Sequence, residues 1–250
     1  MNKDNKVNAA IIIIGNEILS GRTQDVNITF LSKWLNNIGV RVEEVRVIAD
    51  NEQAIVNCIN EVRKKFKYIF TTGGIGPTHD DITSRSIAKA FNLPYGYHKE
   101  AYKILEKYYK PGEFNDSRKK MAKIPDKARL IYNPSSGAPG FIVKNVYCLP
   151  GVPSILHSMV DGLKKQIIGG KKILSKTISL STVESEIAQP LEDIQNLFTN
   201  VEIGSYPFFR LGKIGVSIVI RSTAMKQIEA CANQIEDFVR KKNIQIIERE

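Results

Sequence analysis

The first two thirds of the chain alternate between two patterns of hydrophobic and polar residues. Short, continuous apolar runs predict buried strands, whereas apolar residues three or four positions apart predict helices with one inward face. Strands are predicted at residues 8–14, 40–48 and 68–70, and helices at 26–35, 54–66 and 80–91. Strands that alternate with helices of this length indicate right-handed βαβ units on a mostly parallel sheet.

Less regular elements follow and end at a pair of glycines. Residues 98–123 have helical spacing interrupted by a Pro-Gly pair, which predicts two helices joined by a turn. After them we expect a loop at 134–140, a hairpin of 141–143 with 146–149, and a helix at 152–168. A Gly-Gly pair then predicts a domain boundary, with residues 1–169 on one side and 170–250 on the other.

The end of the chain has a different order of elements, βαββαβ. Strands are predicted at 173–181, 201–206, 214–221 and 244–247, and helices at 184–198 and 225–240. This is the order of the ferredoxin-like split βαβ fold. The sequence therefore predicts an α/β domain with a mostly parallel sheet, followed by a small α+β domain.

Composition narrows the class of protein but does not choose a function. Hydrophobic residues make up 42% of the chain and charged residues 25%, which excludes disordered and fibrous classes. The longest apolar run, Ala9 to Ile14, is too short to cross a bilayer, and no secretory signal is recognised, so we expect a cytoplasmic protein that does not enter membranes. The three cysteines have no zinc or CxxC spacing and are expected to be buried free thiols.

The formal net charge of +10 is unevenly distributed. Residues 1–170 hold 25 Lys and Arg against 16 Asp and Glu, whereas residues 171–250 hold 11 against 10. Much of the excess lies between Lys99 and Arg129. Two interpretations stay open for this stretch: an ordinary solvated helical face, or a surface that raises the local concentration of phosphate-bearing ligands.

One glycine-rich segment, TTGGIGPTHDD at residues 71–81, directly follows a predicted buried strand. A strand that runs into such a turn and then into a helix places backbone N–H groups at the carboxyl edge of the sheet, where open α/β sheets bind ligands. Gly73, Gly74 and Gly76 are expected to allow positive φ and close approach of a ligand. The spacing matches neither the dinucleotide nor the P-loop fingerprint, so the turn alone is equally consistent with a simple chain reversal.

Asp80 and Asp81 lie at the start of the helix predicted after this turn. One of them is expected to cap the helix. The other is then free, and two carboxylates beside an anion-binding turn can hold Mg²⁺ or another hard divalent cation that bridges to substrate phosphates. Thr78 can add a hydroxyl ligand.

The ends of the other predicted strands carry further candidates. If the first and third strands are neighbours, Glu17 faces Asp80 and Asp81 across the crevice. In the loop at 134–140, called the serine loop below, the hydroxyls can donate hydrogen bonds to phosphate, and the glycines let a ligand approach the backbone. The candidate binding residues beyond the turn are Gly15, Asn16, Asn27, Thr72, Ser135, Ser136, Gly137, Pro150 and Gly151.

Five motifs, taken in order, resemble the N-terminal domain of the CinA family, which is part of the MoaB/MogA molybdopterin-binding superfamily. They are GNEILSGRTQDVN, TTGGIGPTHDDIT, NDSRKKMAKIP, NPSSGAPGF and LPGVPSIL. The resemblance covers residues 8 to about 165 and implies a three-layer molybdopterin-binding-like domain. Residues 171–250 are similar to the KH-type domain that follows in CinA proteins. The nicotinamide-nucleotide amidase domain of full-length CinA proteins is not expected here.

The resemblance implies a metal-dependent pyrophosphatase for dinucleotides such as ADP-ribose or FAD, with Mg²⁺, Mn²⁺ or Co²⁺ as cofactor. It implies catalytic roles and metal binding for Asp80 and Asp81. From its place at the neighbouring strand end we expect Glu17 to be catalytic as well, and we expect basic residues such as Arg118 and Lys119 to stabilise the developing charge. A homodimer or homotrimer is expected, as among relatives. Arg85 stands where the family usually has an acidic residue, and if that acid assists metal binding or base chemistry, a binding role gains weight over turnover.

Two other functions stay open. One is a non-catalytic molybdopterin or nucleotide binder, or a transferase in molybdenum-cofactor assembly. The other is an RNA-binding module, since residues 212–215 form a GXXG sequence. That sequence lies between two predicted strands, whereas a KH domain places it between helices, and the tail carries little net charge, so nucleic acid is the less expected partner.

Overall fold

The computed structural model describes residues 7–210 and 212–249. The chain divides into two compact units, Met1–Gly170 and Lys171–Glu250, next to the predicted boundary. Residues 1–6 of the predicted first domain, and residues 211 and 250 of the second, lie outside the described residues.

The first unit alternates strands and helices over most of its length. Its elements in chain order are β1 (Val7–Ile14), α1 (Asn16–Leu19), α2 (Asn27–Asn37), β2 (Val40–Ile48), α3 (Glu52–Val62), β3 (Tyr68–Thr72), α4 (Thr83–Ala90), β4 (Tyr95–Tyr97), α5 (Lys99–Tyr108), α6 (Asp116–Lys120), β5 (Lys123–Pro125), β6 (Arg129–Ile131), β7 (Gly140–Val143), β8 (Val146–Leu149) and α7 (Pro153–Val160). A 3₁₀ turn at Asp161–Leu163 continues α7.

A six-stranded sheet in the order β2-β1-β3-β8-β7-β6 forms the centre of this unit. The first four strands in that order are parallel, and β7 and β6 add antiparallel pairs. β1 is buried on both sides because helices cover both faces: Ile11 packs with Leu31 of α2, and Ile12 packs with Ile59 of α3. A parallel strand buried on both faces needs continuous apolar sequence, which explains the isoleucine run. The predicted three-layer α/β fold is confirmed.

Several predicted boundaries in the first unit are wrong. The helix expected from residue 80 begins at Thr83, and the helix expected to reach residue 168 ends at Val160. The short elements α1, β4, β5 and β6 were not predicted, because three or four residues are too few to show a period. The predicted pair of helices in 98–123, the hairpin after the serine loop, and buried thiols at Cys58 and Cys148 are all observed.

The second unit has the predicted βαββαβ order. Its elements are β9 (Leu174–Leu180), α8 (Glu184–Leu197), β10 (Glu202–Arg210), β11 (Lys213–Ser222), α9 (Met225–Lys241) and β12 (Ile246–Arg249). The sheet order is β10-β11-β9-β12 with antiparallel pairs, so the second, third, first and fourth strands lie side by side. This is the ferredoxin-like arrangement. Residues from both helices, including Ile187 and Ile228, pack on the sheet, and Cys231 is buried among them.

Two further points concern partners. The GXXG sequence begins between the antiparallel strands β10 and β11, so it is not a loop between helices. Within residues 7–210 and 212–249, each helix is too short or too polar to cross a bilayer.

Candidate functional site

The carboxyl ends of the four parallel strands meet at one edge of the central sheet. Asp50 follows β2, Glu17 follows β1, Gly73 follows β3 and Gly151 follows β8. A cavity of about 510 Å³ opens there, which is where open α/β sheets bind ligands. The predicted residues that line it are Glu17, Gly73, Gly74, Gly76, Thr78, Asp80, Asp81, Ser136, Pro150 and Gly151.

The floor of the cavity is a turn that only glycine can make. Gly73 has φ +97°, and a Cβ there would lie 2.1 Å from the backbone oxygen of Ile14. Gly74 has φ +67°, and a Cβ would lie 2.2 Å from Oγ1 of Thr83. Thr83 closes the turn, because its N–H donates to the Gly74 oxygen at 2.9 Å and its hydroxyl donates to the Gly73 oxygen at 3.0 Å.

The prediction of positive φ fails at Gly76, which is not in the left-handed region. A Cβ on Gly76 would instead lie 2.7 Å from the Oδ2 atom of Asp81. Glycine is therefore used at this position to make room for a carboxylate rather than for an unusual backbone conformation.

Asp80 and Asp81 do not cap α4. The N-cap of that helix is Ile82, and no side chain bonds its first turn. Both carboxylates turn back to Thr78: its Oγ1 lies 2.5 Å from Oδ1 of Asp80 and 2.5 Å from Oδ2 of Asp81, and its backbone N–H donates to that second atom at 2.7 Å. The nearby hydroxyl and amide thus compete successfully with the helix end for Asp81.

Three side-chain oxygens therefore converge within this loop. A hydroxyl carries a single hydrogen, so Thr78 donates to only one of the two carboxylates at a time. The other carboxylate can then accept a hydrogen bond or bind a cation. The pKa of Asp80 is lowered, mainly by the hydrogen bond from the Thr78 hydroxyl and then by the backbone N–H of Asp80 itself. The lowered pKa favours the ionised form of Asp80.

Two further carboxylates line the same cavity, and the sequence reasoning missed one of them. Glu17 lies in the first turn of α1, as proposed from its strand end. Asp50 was missed, although it follows a predicted strand at the same edge. Its Oδ2 accepts the backbone N–H of Asn16 at 2.8 Å, while the Asn16 side-chain oxygen accepts the N–H of Asp50 at 3.4 Å. Asn16 therefore fixes the position of Asp50 and does not line the cavity itself.

The charge of the lining is one-sided. Glu17, Asp50, Asp80 and Asp81 are its ionisable residues, and among the described residues no Lys, Arg or His lines it. In the same part of the chain, no cluster of three or more His, Cys, Asp and Glu residues is close enough to hold a metal ion. The oxygen donors that the structure brings together in this lining are the two loop carboxylates and the hydroxyl of Thr78.

The serine loop contributes less than predicted. Asn133, which was not predicted, accepts the backbone N–H groups of Ser135 and Ser136 at 2.9 and 3.0 Å, so these donors are occupied. The Ser135 hydroxyl donates to Ser158 at 2.7 Å and does not line the cavity. Ser136 accepts from Asn133 Nδ2 at 2.7 Å, which leaves its own O–H hydrogen for a ligand. Gly137 has φ +73° and packs beside Tyr108.

Arg118 is directed away from the cavity. Its guanidinium donates to the backbone oxygen of Glu113 at 2.5 Å and stacks on the ring of Tyr109 with 4.2 Å from Cζ to the ring centroid. Arg85 is also outside the lining, because its Nε lies 3.5 Å from a carboxylate oxygen of Glu52. Neither arginine contributes positive charge to the lining in this structure.

A smaller cavity of about 70 Å³ adjoins the first and shares Glu17, Gly73 and Gly151 with it. Thr72 and Asn27 line this smaller space. Asn27 is buried, and its Nδ2 donates to the Gly151 oxygen at 2.8 Å, which ties α2 to the end of β8. The Gly15 N–H donates to the Ile48 oxygen at 3.2 Å, so Gly15 joins the ends of β1 and β2 and lines neither cavity.

Comparison with known proteins identifies both units. Residues 10–169 match the family described as "Probable molybdopterin binding domain", and residues 172–248 match the middle domain of FAD synthase. A protein from Archaeoglobus fulgidus is 32% identical over 79% of this chain and 84% of its own length. A CinA-like protein from Prochlorococcus marinus is 29% identical over 96% of this chain, which spans 58% of that longer relative.

A solved structure agrees with these matches. The crystal structure of CinA from Thermoplasma acidophilum, whose function is described as unknown, is 32% identical. It superposes with a TM-score of 0.61 over 65% of this chain and 98% of that one. The family match covers more than half of the chain and includes every strand end described above. The chain therefore belongs to the molybdopterin-binding domain family and is a CinA-like member of it.

Proposed function

We propose that this protein is a metal-dependent nucleotide pyrophosphatase that acts on dinucleotide-like diphosphates such as ADP-ribose or FAD. The observation that carries the proposal is the convergence of oxygens from Thr78, Asp80 and Asp81 beside the Gly73–Gly74 turn. This group of hard donors lies at the sheet edge where a phosphate-bearing ligand has access to backbone N–H groups.

The charge of the cavity supports a cation-dependent reaction. A diphosphate is an anion, and the lining presents four carboxylates without a basic residue among the described residues. An anion enters such a site only with compensating positive charge. Carboxylate and hydroxyl oxygens are the ligands that Mg²⁺ and similar ions prefer, so Asp80, Asp81 and Thr78 fit a divalent cation. When bound, that cation supplies positive charge to the phosphate oxygens.

The remaining roles fall to other lining residues. In the proposed reaction a water oxygen attacks one phosphorus, the bond from that phosphorus to the bridging oxygen breaks, and two monophosphates form. Glu17 accepts the proton that the water releases, and the free O–H of Ser136 donates to a non-bridging oxygen. A preorganised donor of this kind contributes roughly 3 kcal/mol of transition-state stabilisation.

Part of the cavity lining is apolar and suits a ring system. Ile75, Met121, Val152 and Ile155 line it. Ligand sites commonly combine an apolar wall with a few polar groups that fix orientation. An adenine or flavin ring would bind this wall while the diphosphate lies near the aspartates.

Arg85 lies outside the cavity lining. Its ion pair with Glu52 is shared with Lys89, whose Nζ lies 2.6 Å from the other carboxylate oxygen, so the three side chains form a surface network between α3 and α4. The substitution of the usual acid by Arg85 therefore removes a negative charge near the site without adding a positive one to the lining.

A ligand-binding protein without hydrolysis is the second candidate. It is favoured by the finding that the described residues contain no group of three or more His, Cys, Asp and Glu side chains close enough to hold a metal ion. A molybdopterin or nucleotide binder, or a transferase of molybdenum-cofactor assembly, would use the same cavity. The cytoplasmic location and the dimer or trimer stay predictions.

Hydrolysis assays separate these functions. ADP-ribose and FAD are incubated with the protein and Mg²⁺, Mn²⁺ or Co²⁺, and released mononucleotide is measured. Asp81→Asn removes one loop charge, and Asp116→Asn, at a fully solvated position of α6, is the matched control. We expect release by the wild type and Asp116→Asn, and at least a hundredfold loss in Asp81→Asn on the scale of a single lost catalytic group. Tight binding of ADP-ribose without any release by the wild type would instead establish the second candidate.

A further inference from the structure

One basic side chain reaches the rim of the acidic cavity. Lys120 is the last residue of α6, and its Nζ donates a hydrogen bond to the backbone oxygen of Thr78. It is partly buried, and Met121 beside it lines the cavity. Thr78 is the residue whose side chain and backbone N–H bond the two aspartates, so this ammonium contacts the carboxylate loop directly.

The neighbouring basic residues are held elsewhere. Arg118 bonds Glu113 and stacks on Tyr109, as described above. Lys119 Nζ lies 3.0 Å from Oδ1 of Asp116. Of the three consecutive basic residues, Lys120 is thus the one that contacts the loop of Asp80 and Asp81.

We propose that Lys120 binds the diphosphate of the substrate directly, as the cationic side chain that the cavity lining lacks. The inference rests on the proposed function, because it assumes a diphosphate ligand at this edge. An ammonium has three N–H donors, and the Thr78 oxygen occupies one of them, so donors are left for a non-bridging phosphate oxygen. Because the same ammonium also bonds the Thr78 oxygen, Lys120 would hold both the loop of Asp80 and Asp81 and the phosphate.

The test measures binding rather than turnover. The probe is methylenediphosphonate with excess Mg²⁺, which has no P–O–P bond to hydrolyse, and its affinity is measured by calorimetry. Because a hydrogen bond to a charged group contributes more than a neutral one, we expect Lys120→Gln to weaken binding about tenfold or more. Lys120→Arg should keep most of the affinity, and Lys119→Gln should match the wild type. The deficit of Lys120→Gln should shrink as NaCl is raised, since salt screens a direct charge contact.

The outcomes distinguish this inference from the function on which it rests. If the wild type and Lys120→Gln bind the probe equally, the role of Lys120 is wrong while the pyrophosphatase proposal stands. If the wild type neither binds the probe nor releases mononucleotide, the proposed function fails first. If Lys120→Gln binds weakly at every salt concentration and Lys120→Arg is equally weak, the side chain only positions the loop and the direct contact is refuted.

Discussion

Replacing Gly73 by alanine tests the turn on which the whole site depends. The residue joins β3 to the cavity, its N–H donates to the Leu149 oxygen at 3.1 Å, and its φ of +97° lies in the region that disfavours side chains. A methyl group would also meet the Ile14 backbone oxygen at 2.1 Å. Two separate penalties are therefore expected.

Their sizes can be worked from the geometry. Holding a non-glycine residue in a left-handed conformation costs about 1–2 kcal/mol. Overpacking against a backbone atom that cannot swing away costs about 1–3 kcal/mol. Gly73→Ala should therefore lower the free energy of unfolding by roughly 2–5 kcal/mol, which leaves a typical domain folded but weakened. With a urea slope near 2 kcal/mol per M, the midpoint should fall by about 1–2.5 M.

The matched control is Gly21→Ala. Gly21 has φ +71° but no atom within 4 Å of a built Cβ, so the substitution carries the conformational cost without the clash. Trp34 reports on the first unit, because it is the single tryptophan of the chain and its ring packs against Phe70 with 6.4 Å between the ring centroids. Equal midpoint shifts for the two variants would refute the close approach of the Ile14 oxygen.

Trp34 and Phe70 are 36 positions apart in the sequence, and their rings form a T-shaped contact in the core of the first unit. Unfolding of that unit separates the two rings and exposes Trp34 to water. Its fluorescence therefore follows the urea transition of the unit that contains Gly73 and Gly21, whatever the second unit does.

Three further predictions follow from single contacts. Ser136→Ala should weaken binding of the magnesium complex of methylenediphosphonate several-fold while Ser135→Ala leaves it unchanged, because only the first hydroxyl has a free hydrogen at the cavity; equal calorimetric affinities would contradict this. Burial raises the pKa of the Cys148 thiol to about 12, so iodoacetamide should label it at pH 8 only after unfolding, as judged by mass spectrometry. Hydrogen bonds from Arg46 hold the pKa of Glu61 at about 2, so the stabilisation it gives is full above pH 4.5 and is lost as pH falls toward 2; the difference in urea midpoint between wild type and Glu61→Gln should shrink over that range.

The sequence predicts the fold well where burial dictates residue type. The isoleucines of β1 must be apolar because helices cover both faces of the sheet, so the central strand is visible without a structure. The Gly73–Gly74 turn is visible for a similar reason, since no other residue satisfies its φ angles and its contacts. The strand and the turn that carry these constraints were both predicted, whereas of the strand neighbours only the pairing of β1 with β3 was expected.

The site is less predictable, because its side chains choose among several nearby partners. An aspartate before a helix is a normal cap, yet Asp81 bonds Thr78 instead, three residues back in the loop. Ser135 and Ser136 are equivalent in sequence, and only the turn held by Asn133 decides which hydroxyl faces the cavity. Such choices depend on distances of a few tenths of an ångström, which no residue pattern encodes.

The distribution of charge explains how an acidic cavity can serve an anionic ligand. The first unit carries the positive excess of the chain, but this excess lies outside the lining, which is acidic. Surface charge attracts an anion over about one Debye length, roughly 8–10 Å in physiological salt. It attracts an anion with a bound cation and one without, as long as the net charge is negative. The four carboxylates then act at contact distance and reject an anion that arrives without a cation. The two charge patterns together favour a diphosphate already complexed with a divalent ion, and Lys120 at the rim is the point where they meet.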